Sequence, residues 1–194
     1  MKSLHRALST RRRRRRPFDP IDLADVRSRI AELPANSSPL LVYEMHVELL
    51  VAFGRRIGFD FHPQRPSEPP DEELIAVFGW FDRNAPRREF GLQIYPDRSA
   101  AGTTVRVAWI IELYLPECCR REGAGTVVMD ALIMLWKRMG LDEVRVTTVG
   151  DGQYAFPSWG FEPDPQRRRD DGLLPLRLTL SRDWQAAHGG STGA

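Results

Sequence analysis

The stretch 104–149 limits the chain's fold more than any other: a strand-like run, a glycine turn, a long amphipathic helix pattern and a second strand-like run. Thr104 to Leu115 is rich in β-branched and aromatic residues. Gly123 and Gly125 then open a pattern in which Val128, Ala131, Leu132, Leu135, Trp136 and Met139 recur at i, i+3 and i+4 and form the apolar stripe of a helix. Gly140 closes that helix and Glu143 to Val149 is the next strand. A strand–helix–strand unit places its strands parallel, joined by a right-handed crossover. Ahead of it, Leu74 to Phe81 and Phe90 to Tyr95 are β-like runs punctuated by DRNAP at 82–86 and PDRSAAG at 96–102, which marks an antiparallel meander. After it come a short helix around Gln153 to Trp159 and strands near Phe161 and at Leu174 to Ser181. The expected class is therefore α+β: a mixed, mostly antiparallel central sheet flanked by helices, with one parallel strand–helix–strand crossover.

The N-terminal third is less regular. Residues 1–19 form an Arg-rich tail expected to be disordered, and Asp19-Pro20 opens a helix running to Leu33. Residues 40–57 read two ways. Tyr43, Met45, Val47, Leu49, Val51 and Phe53 alternate with Glu44, His46 and Glu48 as a strand would, whereas Leu41, Met45, Leu49 and Phe53 would serve a helix nearly as well. The alternation tips the reading to a strand. The four prolines of 62–73 exclude regular structure there. One domain over 20–184 follows, with a flexible end at 185–194.

Charge divides the chain. Residues 1–16 carry Lys2, Arg6 and Arg11–Arg16 with no acid, so the net +2 conceals a body of −6. The Arg11–Arg16 run lacks interleaved aromatic or hydrogen-bonding residues and reads as a solvated tail, leaving nucleic acid a partner only through that tail. No run approaches a membrane span, and the basic start, followed by no apolar stretch, is not expected to act as a secretory signal. Cys118 and Cys119 are adjacent and the four histidines scattered, which gives neither a disulfide framework nor metal-ligand spacing. A cytoplasmic chain with no metal is expected.

The glycine turn lies just ahead of a helix N-terminus, where backbone N–H groups favour an anion. A Walker loop would need a Lys-Ser/Thr pair that is absent, and a dinucleotide fingerprint would need glycine where Val128 stands. What remains is a pyrophosphate clamp with arginines beside it, as in Arg120-Arg121-Glu122-Gly123-Ala124-Gly125. The segment 110-IIELYLPECCRREGAGTVVMDAL-132 resembles the coenzyme A-binding motif of the GNAT superfamily of acyl-CoA-dependent N-acetyltransferases. Farther on, 153-QYAFPSWGFEPDP-165 resembles the segment in which that family's helix ends in Gly-Phe and turns into a strand. Together these cover roughly residues 74–181.

The resemblance implies a GNAT-like fold, acetyl-CoA as co-substrate, and a small-molecule or protein amine as acceptor, with a homodimer admitted as assembly. It implies cofactor contacts from Leu113, Leu115, Arg120, Arg121, Gly123, Ala124, Gly125 and Thr126. Glu112 becomes the candidate general base, with Glu44 or Glu48 as alternatives. Two departures stand out: the link proline, Pro116, comes one position early, and Phe156 occupies the place where many members carry the tyrosine that protonates the leaving thiolate. Tyr154 is the remaining candidate acid. Trp109, Trp136 and Trp159 fit core positions, and the cysteines carry no role.

Overall fold

The computed structural model describes residues 24–34, 37–99, 101–120, 122–167 and 172–180. The expected basic tail, the start of the first helix at Pro20, Arg121 and the C-terminal stretch 185–194 lie outside them. Four helices and seven strands follow one another as α1 (Ala24–Glu32), α2 (Pro39–Ile57), β1 (His62–Pro63), β2 (Ile75–Trp80), β3 (Phe90–Arg98), β4 (Thr104–Leu113), α3 (Ala124–Arg138), β5 (Glu143–Thr148), α4 (Gly152–Ser158), β6 (Glu162–Pro163) and β7 (Leu174–Thr179). The strands form one sheet in the order β1-β2-β3-β4-β5-β7-β6. Only β4 and β5 run parallel, bridged by α3 as the crossover; every other pair is antiparallel. This is the mixed, mostly antiparallel sheet with one parallel strand–helix–strand crossover expected from the sequence.

The strand expected over 40–57 is a helix, and its ends explain why. Ser38 Oγ accepts from Leu41 N at 3.4 Å, and Pro39 begins the first turn. At the other end Gly58 (φ 81°) donates to Arg55 O while Phe59 donates to Gly54 O, the paired bonds of a Schellman stop. The buried positions are Val42, Met45, His46, Leu49, Leu50, Phe53 and Ile57, spaced for a helix rather than alternating. Nineteen residues also exceed the length of an ordinary strand. The apparent alternation came from a helix whose flanking positions, Tyr43, Val47 and Val51, are themselves partly buried apolar residues. Glu44 and Glu48 consequently sit on α2 and not on a strand beside β4. A smaller correction falls at the proline-rich loop, where His62 and Pro63 pair with Trp80 and Gly79 as an edge strand. Proline is tolerated there because an edge leaves one side of the backbone unpaired.

Helices α2 and α3 cover one sheet face. Ile75, Val77, Leu92, Ile94, Ala108, Ile110, Val144 and Val146 point into that layer and are nearly sealed from solvent. Between the helices His46 is fully buried: Trp136 Nε1–H donates to its Nε2 at 3.0 Å, and its Nδ1 lies 2.8 Å from Val42 O. Both ring nitrogens are used, so the ring is neutral with its proton on Nδ1. Burial lowers its pKa to about 4, against the opposing pull of the Val42 carbonyl. On the far face, Arg145 of β5 donates from Nε and Nη2 to Glu143 Oε2 at 3.0 and 2.9 Å and pairs with Asp97 of β3 through Nη1. Arg177 of β7 lies 3.7 Å from Glu143. These charges bind three strands at the end where β5 begins. Among the described residues no helix is long and apolar enough to cross a membrane.

Candidate functional site

The site arises because two neighbouring strands stop pairing. In the parallel ladder Val107 faces Glu143 and Ile110 faces Val146, and there it ends, although β4 runs on to Leu113 and β5 to Thr148. The cause lies on β4's other side. Gly91 of β3 pairs with Glu112 and Leu92 with Ile110, so Ile111 is an extra, bulged residue. A bulge bends its strand and strengthens the local twist. Past Ile110, β4 stays with β3, where Tyr114 N donates to Glu89 O at 2.7 Å, while β5 stays with β7 as far as Thr148–Leu174. A wedge opens between them, bordered by the backbone of residues 111–115.

The glycine turn stands at the mouth of this wedge. Pro116 leads a 3-10 turn over Glu117–Cys119, and Gly123 caps α3 at φ 82°, ψ −2°, with open space where a Cβ would be. That left-handed backbone strongly favours glycine. The first helical bond runs from Val127 N to Gly123 O, so the N–H groups of Ala124, Gly125 and Thr126 precede the helical ladder. Gly125 is favoured for another reason: a Cβ there would lie 3.1 Å from the indole of Trp159, which would have to shift by a few tenths of an ångström. The first glycine shapes the turn, and the second makes room for a side chain from α4's end.

Trp159 is thus more than the core residue expected from sequence. It is partly buried, stacks edge-on against Phe156 at 5.1 Å, and donates from Nε1 to Thr126 Oγ1 at 3.1 Å. Because the Thr126 oxygen accepts that bond, its own proton is free to be given elsewhere, and Thr126 is exposed beside the mouth. Arg120 is exposed as well, with Nε donating to Leu115 O at 2.9 Å. Leu113 and Leu115 lean on the core with their side chains. Leu115 is thus met by Arg120 at its carbonyl and by Gly125, where a Cβ would lie 3.6 Å from its side chain, and Gly123, Ala124 and Thr126 belong to the same helix start.

Glu112 is held on the far face of β4. Its Oε2 is buried, has no hydrogen-bond donor in good geometry among the described residues, and faces Arg88 Nε at 3.3 Å. The Arg88 guanidinium lies over Phe78 at 4.4 Å, and that of Arg87 over Tyr114 at 4.3 Å. Glu44 is exposed and Glu48 pairs with Arg29 on the outside of α2. Tyr154 is 81% exposed on α4, whereas Phe156 is buried between Trp159 and Phe161. An open cleft lined by Phe59, Asp82, Asn84, Pro86, Glu89 and Cys118 shares the turn with this opening but none of the expected site residues. Arg88 and Thr126's partner Trp159 were not legible as site residues. Arg88 lies in a turn-like loop, and only the fold carries it beside Glu112.

No family model and no curated protein matches the sequence. Solved structures of GNAT acetyltransferases are among those that the chain resembles. A GNAT acetyltransferase from Elizabethkingia anophelis, solved with acetyl-CoA bound, is 14% identical, with 63% of this chain and 98% of that one covered and a TM-score of 0.38. Tetrahymena GCN5 is 13% identical, with 84% and 87% covered and a TM-score of 0.40. Arabidopsis thaliana Naa50, solved with a bisubstrate analogue of CoA and a peptide, is 10% identical, with 54% and 72% covered and a TM-score of 0.36. With scores of this size the architecture rests on the chain's own strand order, bulge and crossover.

Proposed function

We propose that this chain is an acetyl-CoA-dependent N-acetyltransferase that passes the acetyl group from the thioester directly to a primary amine. The observation that carries the reading is the parting of β4 from β5 at Ile110–Val146, directly beside the glycine-led N-terminus of α3. An extended pantetheine arm suits such a wedge, since its amides can bond the strand edge at Leu113 and Leu115 as a third strand would. Its pyrophosphate would then meet the N–H groups of Ala124, Gly125 and Thr126, with the Thr126 hydroxyl and the guanidinium of Arg120 alongside. Arg121 is proposed as a further neighbour on sequence alone. To bond the phosphate through Nε, Arg120 must release the Leu115 carbonyl, which frees that oxygen for the pantetheine.

In the reaction the amine attacks the thioester carbonyl carbon, forming the C–N bond, and the C–S bond breaks to release CoA thiolate. Glu112 takes the proton that the amine must lose, and Arg88 holds the carboxylate in place. Tyr154 is the proposed donor of a proton to the thiolate. Phe156 has none to give. The acceptor is an amine on a small molecule or a protein, and the reading does not depend on which.

A second reading has a specific observation in its favour: Phe156 is locked into an aromatic cluster and Tyr154 points to solvent. A chain of this kind would bind CoA without transferring its acyl group. Calorimetry with acetyl-CoA, followed by thiol release against an amine panel, separates the two. Binding with release supports the enzyme, binding without release supports the module, and no binding sinks both.

A further inference from the structure

Nothing in the acyl-transfer reading uses Cys118 and Cys119, the chain's only cysteines. Their sulfurs lie 3.6 Å apart across a single peptide bond. Cys118 is exposed; Cys119 is buried, with its sulfur 3.9 Å from Ile57 O at the end of α2. Both belong to the 3-10 turn joining β4 to the α3 cap, which is held by Cys119 N to Pro116 O at 2.8 Å and Arg120 N to Glu117 O at 3.2 Å. The next residue is Arg120, tied to Leu115 O.

We propose that this vicinal pair is a thiol switch, an oxidation site whose closure remodels the turn leading into the anion-binding mouth. The oxidant is a low-mass disulfide such as oxidised glutathione. The thiolate of the exposed Cys118 attacks one sulfur of that disulfide and expels a glutathione thiolate. The Cys119 thiolate then attacks the Cys118 sulfur and expels the second. Two protein thiols give up two protons and two electrons, and the oxidant's S–S bond becomes two thiols. Exposure sets this order, since the oxidant meets Cys118 first and Cys119 is already adjacent.

Closure bears on the backbone. The sulfurs must come to about 2.0 Å, while adjacent Cα atoms stand only about 3.8 Å apart, short of the roughly 4.4 Å at which ordinary disulfides begin. The difference has to be absorbed by the 118–119 peptide and the two bonds that hold the turn. Arg120 moves with them. A strained bond of this kind is also readily reduced, as a reversible switch requires. The effect on the cofactor rests on the acetyl-CoA reading; the oxidation and its effect on the turn do not.

The test uses the full chain treated with graded oxidised glutathione. Intact mass should fall by about 2 Da, the two hydrogens lost in forming a disulfide, with no cross-link between chains and residues 118 and 119 joined in a peptide map. Cys118→Ser, a change at an exposed position, should abolish the loss. A persistent glutathione adduct on Cys118, or a bond between two chains in place of the internal one, overturns the proposal. Amide exchange over 116–124 should rise on oxidation, and unchanged exchange overturns the coupling. Acetyl-CoA should bind the oxidised chain about tenfold more weakly, a difference of about 1.4 kcal/mol. Equal affinity overturns the switch and leaves the cofactor reading intact. If the reduced chain binds no acetyl-CoA, the cofactor reading falls, and amide exchange alone decides whether oxidation remodels the turn.

Discussion

The two ends of the β4–β5 pair are built on opposite plans. Where β5 begins, Arg145 sits between Glu143 and Asp97 with Arg177 near by, and Val107 to Ile110 hold a continuous parallel ladder. Where the strands end, a one-residue bulge at Ile111 breaks the register and the backbone of 111–115 has no neighbour on β5. The closed end and the helix layer above it hold the sheet together. The open end can therefore do without a strand pairing and still keep its shape. If this division is right, substitutions at the closed end cost stability and leave ligand affinity alone, and those at the open end do the reverse.

The largest effect is expected at Arg145. Arg145→Met removes the cation shared by Glu143 and Asp97 and should cost on the order of 3 kcal/mol, the usual penalty for stranding one side of a buried pair. Urea unfolding measures it, and a surviving fold should bind acetyl-CoA as before. Next comes the helix layer. His46 has a pKa of about 4 when folded against 6.5 in an ordinary setting, so the unfolded chain takes up a proton that the native chain refuses. Stability is full above pH 6.5, declines as pH falls from 6.5 towards 4, and levels off below. The loss amounts to about 3 kcal/mol. His46→Gln, whose side-chain oxygen can accept from Trp136, should flatten that decline in unfolding midpoints measured across pH.

Smaller effects belong to the open end. Thr126→Val should weaken acetyl-CoA binding by about 1.5 to 3 kcal/mol, the worth of a hydrogen bond to a charged group, with little change in melting temperature. Trp159→Phe should follow it, and the double variant should lose no more than either single one, which calorimetry checks as a closed cycle. Gly123→Ala places a side chain at φ 82° and should cost about 1 kcal/mol of stability. It would be the one open-end variant with a fold penalty, and a wild-type melting curve would contradict the cap geometry. If Thr126→Val instead destabilised the fold as much as Arg145→Met, the division between the two ends would not hold.

Much of this molecule could be read in one dimension because its signals are local. Strand, glycine turn, helix stripe and returning strand are each written within a few residues, and the parallel crossover follows from their order. The α2 segment shows how such reading fails. Its Ser38-Pro39 start and Gly58-Phe59 stop are local signals too, but the alternating apolar residues between them suit either period. Only packing against β2 and α3 selected the set that is buried.

The crossover, the turn and the α3 stripe follow from spacing along the chain, which sets the side chains that share a face. The sequence also supplied a reason to expect an anion at Gly123. Tertiary structure alone decided the rest. The bulge at Ile111 exists only relative to β3, the tight fit that favours glycine at 125 comes from an indole 34 residues later, and Arg88 meets Glu112 only once β3 and β4 pair. Contacts between distant residues depend on which surfaces the whole chain can bury together, and no local pattern encodes that outcome.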